Sequence, residues 1–106
     1  CFEVENNSSL KADNMTLTGC SKVKNASTFE TNLSSSLSGQ ITLSFNSHAD
    51  FSDTTLSSSG VAILNTMNSS VTLNNVTFSN SGGVTCQSGS VFDNDSGSNP
   101  ASTTDC

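Results

Sequence analysis

The sequence predicts an all-β fold: a short right-handed parallel β-helix of about four to five coils, with residues 1–106 forming one repetitive domain. Three observations carry this expectation. A similar motif returns every 16–23 residues. Within each copy apolar and polar residues alternate, the period of a strand with one buried face. Phe, Leu, Ile and Val together number only 23 of 106 residues, too few for a thick two-layer core. A stack of coils needs little apolar area per turn, because backbone ladders join each coil to the next. A small antiparallel β-sandwich is the alternative, but it does not require the motif to return.

The repeat has four recognisable copies, at residues 8–24, 27–42, 49–62 and 69–85. Aligning them places Leu17, Leu33, Leu56 and Phe78 in a central apolar column. A second column takes Ala12, Phe29, Phe51 and Leu73, and a third takes Val23, Ile41, Val61 and Val84. Gly, Ser and Asn clusters separate the short strands, as a three-sided coil requires. Residues 97–106 form a Ser/Thr-rich tail with the one proline, Pro100.

Four cysteines without metal-like spacing suggest disulfides and an oxidising compartment. Cys1 and Cys20 are 19 residues apart, and Cys86 and Cys106 are 20 apart, each about one coil. Stacked coils bring such positions within disulfide reach, so the expected pairs are Cys1–Cys20 and Cys86–Cys106. A bond from Cys106 to Cys1 of a neighbouring copy is the rival arrangement.

The acceptor pattern for N-glycosylation occurs at Asn6, Asn7, Asn14, Asn25, Asn32, Asn68, Asn75 and Asn94. Asn6 and Asn7 are adjacent and compete, so the expected sites are Asn7, Asn14, Asn25, Asn32, Asn68, Asn75 and Asn94. Asn14 and Asn75 fall at one station of the repeat, with Asn32 two residues further on. The bland reading is that turn asparagines happen to precede Ser or Thr.

The segments Thr16-Leu17-Thr18, Asn32-Leu33-Ser34, Thr55-Leu56-Ser57 and Thr77-Phe78-Ser79 would stack two outward columns rich in hydroxyls. Such an array resembles the ice-binding face of insect antifreeze solenoids, although strand preference for Thr explains it too.

Little else suggests chemistry. Asp50 and Asp53 are close in sequence, but hydrolysis needs two carboxylates set across a substrate. His48 has no evident partner and reads as a solvated loop residue. Asp93-Asn94-Asp95-Ser96-Gly97 has the look of a calcium loop, but the distal glutamate of such a loop is missing, so Asp93 and Asp95 offer only a weak calcium possibility. No cofactor is expected beyond N-linked glycans.

Nine Asp or Glu against three Lys and no Arg give a net charge of −6, which argues against nucleic acid and anionic membranes. No apolar run is long enough for a membrane-spanning helix.

Phe29-Glu30-Thr31-Asn32 matches an F-x-x-N motif, and Gly60-Val61-Ala62-Ile63 and Gly82-Gly83-Val84 approach a G-G-A-[ILV] motif. Segments beginning at Phe51, Phe78 and Phe92 depart from the first. The repeat thus resembles those of polymorphic-membrane-protein-type and pectin-lyase-like surface proteins. The resemblance implies an adhesive or scaffolding role and carries over no catalytic residue. Dense sequons point instead to a eukaryotic secretory route.

The expected function is an extracellular structural subunit, a glycosylated solenoid that self-associates into a homopolymeric fibre or surface coat. An adhesin or ice-binding module is the alternative. A carbohydrate-active enzyme ranks last, and no enzymatic activity is expected.

Overall fold

A computed structural model describes residues 1–79, 82–87, 89–98, 103, 104 and 106. All of its regular structure is β. The strands are β1 (Phe2–Val4), β2 (Ser9–Asp13), β3 (Thr16–Leu17), β4 (Ser21–Lys24), β5 (Thr28–Asn32), β6 (Ser35–Ser38), β7 (Ile41–Ser44) and β8 (His48–Ser52). They continue with β9 (Thr54–Ser57), β10 (Ile63–Asn65), β11 (Ser70–Asn74), β12 (Thr77–Ser79), β13 (Val84–Cys86), β14 (Val91–Ser96) and β15 (Thr103–Thr104).

Successive strands do not pair. Each pairs in parallel with the strand three places on, save that β13 pairs with β15, so the chain winds into a solenoid of about four turns with three sheets. Sheet A runs β1-β4-β7-β10-β13-β15, sheet B runs β2-β5-β8-β11-β14, and sheet C runs β3-β6-β9-β12. Phe2 pairs with Ser21, Ser21 with Ile41, Ile41 with Ile63 and Ile63 with Val84, so one coil takes 19–22 residues. The sandwich alternative is thereby ruled out. The molecule measures 28 × 28 × 24 Å, a squat block rather than a rod.

The alternation seen in the sequence selects the inward face. β5, β6, β7, β8 and β9 each alternate strictly between buried and half-buried residues. The interior is closed by stacked columns, several of which differ from those expected. In sheet C the column is Leu17, Leu37, Leu56 and Phe78. Leu33 does not belong to it. Leu33 sits in the corner before β6 with φ 58° and is 61% exposed, whereas Leu37 is 3% exposed. One extra residue in that corner shifts the strand along the chain.

In sheet B, Phe29 stacks with Leu10 and Ala49, not with Ala12 and Phe51. Ala12 stacks with Thr31, and Thr31 with Phe51. In sheet A, Ile41 stacks on Ser21 and under Ile63, while Val23 stacks under Leu43; Val61 lies before β10 and joins neither column. Side-chain size explains the sheet B arrangement. Two phenylalanines in one column, about 4.8 Å apart, would need face-to-face rings, the disfavoured geometry. Offset columns let Phe2, Phe29 and Phe51 meet edge-on at 5.7 and 5.5 Å between centroids, both at 84°. Thr31 and Ala49 fill the spaces beside the rings.

Polar groups inside the coil are also satisfied between coils. At the corner joining sheet A to sheet B, Ser8 N–H donates to Ser27 Oγ at 3.2 Å, Ser27 N–H to Ser47 Oγ at 3.3 Å, and Ser47 N–H to Ser69 Oγ at 3.1 Å. Ser27, Ser47 and Ser69 are buried, so this serine ladder completes the backbone pairing where the strands break. Thr31 and Thr54 share a buried hydroxyl hydrogen bond of 2.7 Å. Asn65, buried between Leu43 and Cys86 in register, donates Nδ2 to Val91 O at 2.9 Å. Its Oδ1 has no partner among the described residues.

Cysteines staple coil to coil as expected. Cys1–Cys20 and Cys86–Cys106 are disulfides with Cα separations of 4.5 and 5.0 Å. The intermolecular alternative from Cys106 to Cys1 does not hold in this arrangement. Half of the 97–106 tail lies outside the described residues; of the rest, Thr103 extends sheet A beside Val84.

Two measurements check this architecture. Leu37→Ala should destabilise the fold by about 2–5 kcal/mol in a urea melt, the usual cost of truncating a buried leucine. Leu33→Ala should change it by no more than about 0.5 kcal/mol. Replacing Cys1 and Cys20 together by Ala should cost about 3 kcal/mol in the chain-entropy model, and reductant should then lower the stability of this variant less than that of the parent.

Candidate functional site

Short outward side chains, stacked in register, make up most of the surface. Three faces and three corners have distinct chemistry.

Sheet C faces outward with two columns. Thr16, Ser36, Thr55 and Thr77 form the first; Ser38, Ser57 and Ser79 form the second. The sequence expectation placed Asn32 and Ser34 at this station in the second coil. The structure places Ser36 and Ser38 there, so every member carries a hydroxyl. No charged residue interrupts either column. Coils repeat at about 4.8 Å and the columns lie about 6.6 Å apart along the strand, by standard strand geometry.

The corner joining sheet C to sheet A is built from glycine. Gly19, Gly39 and Gly83 have φ of 98°, 94° and 104°. A Cβ on Gly39 would lie 2.6 Å from the carbonyl carbon of Gly19 in the neighbouring coil, so the coils touch backbone to backbone there. A shallow groove of about 760 Å³ opens at this corner, lined by Ser38, Gln40, Ser57, Ser58, Ser59 and Val61 among others. A second groove, of about 520 Å³, lies at the opposite edge of sheet C near Leu33, Ser36, Asp53, Thr55, Asn75 and Thr77.

Asparagine occupies the other two corners. Asn6, Asn7, Asn25 and Asn68 lie at the A–B corner with φ between 60° and 62°. Asn14 and Asn75 lie at the B–C corner with φ of 52° and 56°. Asn tolerates this left-handed region better than other non-glycine residues. Backbone geometry alone therefore accounts for asparagine at six of the eight sequons. Ser27, third residue of the Asn25 sequon, is also a rung of the serine ladder. Asn32, half-buried, pairs with Asp13, the residue before Asn14, so it lies one position before the shared station of Asn14 and Asn75 rather than two beyond it. Asn94 is exposed within β14 on sheet B. All eight acceptors thus lie on sheet B or the corners flanking it, and none lies at the glycine corner.

Sheet B carries most of the ionisable groups. Lys11, Glu30, Asp50, Thr72 and Asp93 form one outward column. Asp53, close to Asp50 in sequence, occupies the B–C corner and accepts a hydrogen bond from Asn75 Nδ2 at 2.7 Å. The two carboxylates do not converge on a shared cleft. The stretch from Asp93 to Ser96 is strand, with a register shift opposite Leu73 and Asn74, and not a cation loop. The Asp95 side chain lies outside what the structure describes. Among the described residues no group of three His, Cys, Asp or Glu is placed to hold a metal.

His48 is not a loop residue. It opens β8, and its Nδ1 lies 2.7 Å from Ser70 Oγ on the next coil. The sequence reading missed this pair; the 22-residue interval between them, one coil, is the signal that links them. A serine beside a histidine resembles a nucleophile beside its base. Here the pair lies on an open sheet face, and among the described residues nothing orients the other ring nitrogen. The contact ties two coils together.

On sheet A, Lys24 Nζ bonds Glu3 and Glu5 at 3.2 and 3.3 Å. Hydrogen bonds to Glu3 and then Glu5 raise the Lys24 pKa above its ordinary value. Any stability this adds is present at neutral pH and fades as alkaline pH passes the raised value; solvent screening keeps it small. Among the described residues no helix is long and apolar enough to cross a membrane.

No protein family, curated protein or solved structure matches the chain.

Proposed function

We propose that the chain is an extracellular structural module: a β-solenoid bearing N-linked sugars whose copies associate into a fibre or surface coat. The observation that carries this reading is the in-register coil stack, stapled near both ends by disulfides between adjacent coils. Such a block gains rigidity from ladders that run through every coil, and it needs no thick core. Short hydroxylic side chains outside and buried hydroxyl ladders inside suit a durable building unit better than a catalyst. The disulfides fit an oxidising compartment.

The exposed corner asparagines support sugar attachment. A glycan needs a surface position, and Asn7, Asn14, Asn25, Asn68, Asn75 and Asn94 have one. Protein secreted from a eukaryotic host should lose mass on treatment with an amidase that removes N-linked glycans. Native material imaged by electron microscopy should show fibres or patches. A single sugar-free mass, with dispersed particles at every concentration, would remove this reading.

A second reading rests on sheet C. Its hydroxyl columns are complete and in register, so the face can order water in a regular array. Ice binding would appear as thermal hysteresis in deglycosylated protein, abolished by Thr55→Lys. Asn14 and Asn75 are each two residues from a column member, Thr16 and Thr77, so sugars there would obstruct an ice face.

A further inference from the structure

We infer that the edge formed by the glycine corner and the adjoining Ser38–Ser57–Ser79 column of sheet C is the surface through which a second copy of this chain packs laterally. The inference rests on the self-association proposed above and specifies where it occurs.

Charge is the first argument. The chain carries a net charge of −6, so two copies repel unless they meet through a neutral surface. Glu30, Asp50 and Asp93 face outward from sheet B, Asp13 and Asp53 border the B–C corner, and Glu3 and Glu5 lie near the start of sheet A. The groove at the glycine corner is lined by no charged residue. Like charges set against one another across an interface cost several kcal/mol; this edge avoids that cost.

Acceptor position is the second argument. Every sequon lies on sheet B or beside it, and the C–A corner has none. Sugars at any of these sites would leave this edge the least covered. The first column of sheet C is closer to Asn14 and Asn75, which is why the second column and the corner form the proposed contact.

Shape is the third. At Gly39 and Gly82 a Cβ would meet the backbone of the coil below at 2.6 and 2.9 Å, so the coils pack backbone to backbone there, and the edge carries only the uncharged side chains that line its shallow groove. Half-buried Val61 lines the groove, and half-buried Leu64 faces outward on sheet A between Thr42 and Thr85. These supply apolar area beside the hydroxyls. A second copy brings the same neutral edge, so a two-fold contact sets no like charges against one another.

The test uses the whole glycosylated chain, with molar mass measured by sedimentation against concentration. Ser57→Glu places a charge on the edge. Ser57→Asn creates a new acceptor sequence there with Ser58 and Ser59. Asp50→Asn does the same on sheet B, with Phe51 and Ser52. Far-UV circular dichroism and melting confirm that each variant folds, and Ser38→Glu repeats the charge test one coil away. Both Ser57 variants and Ser38→Glu should weaken self-association at least about tenfold, and adding Ser59→Ala to Ser57→Asn, which removes the acceptor sequence but keeps the neutral asparagine, should restore it. Asp50→Asn should leave it unchanged or stronger. If the parent associates and the Ser57 and Ser38 variants associate equally well, the interface is elsewhere and the scaffold reading survives. A parent that is monomeric at all concentrations overturns both. A parent that is monomeric and shows thermal hysteresis lost in Ser57→Glu assigns the surface to ice.

Discussion

Everything in this molecule depends on one constraint: each coil must lie on the next in parallel register, about 4.8 Å away. The backbone imposes it, because a strand displaced by one residue would turn its inward side chains out. Once register is fixed, every side chain belongs to a column and its neighbours above and below are determined. This is how so few apolar residues suffice. In the column of Leu17, Leu37, Leu56 and Phe78, Leu37 and Leu56 are each buried between two apolar neighbours without a second layer. Where a column reaches a corner and strand pairing lapses, Ser27, Ser47 and Ser69 carry the pairing on through hydroxyls.

Three corners turn the chain by three different means, and this divides the surface. The A–B corner uses left-handed asparagine outside and serine inside. The B–C corner uses Asn14, Asp53 and Asn75, all at positive φ, with Asp53 and Asn75 bonded to each other. The C–A corner uses glycine, because the coils approach too closely for any side chain. Asparagine followed by a small hydroxyl residue is a corner solution and, by the same letters, a glycosylation acceptor. The corner geometry explains these asparagines with or without sugar; on the sugar reading, the corners hold them at the surface, where an attached glycan would not disturb the stack.

The sequence revealed the fold class, the coil length and both disulfides, since all follow from periodicity. It did less well on register. Phe29, Val23 and Val61 were aligned two residues from their true partners, and Leu33 four residues from Leu37. These errors share a cause. Slipping a strand by an even number of residues preserves which side chains point inward, so alternation cannot detect it. For Phe29 the inward assignment survived the error. Leu33 failed outright because the slip crossed a corner containing an extra residue. Matching Phe to Phe was also misleading in principle, since edge-on rings prefer neighbouring columns to one column. The serine ladder and the His48–Ser70 pair were missed for a related reason: their chemistry is between coils, and only correct register shows it.

Register also bears on what guards a largely uncharged parallel sheet. Natural β proteins commonly guard exposed sheets with lysine or other charges. Sheet C has none on its outward columns, and the chain has only three lysines to offer. Hydroxyls keep the face wet but do not repel another copy. On the reading proposed here, sugars at Asn14 and Asn75 guard the side of sheet C that borders sheet B, while acids guard sheet B itself. The glycine edge is left without either device. On that reading the unguarded edge confines lateral contact to one two-fold pairing of copies rather than disordered aggregation.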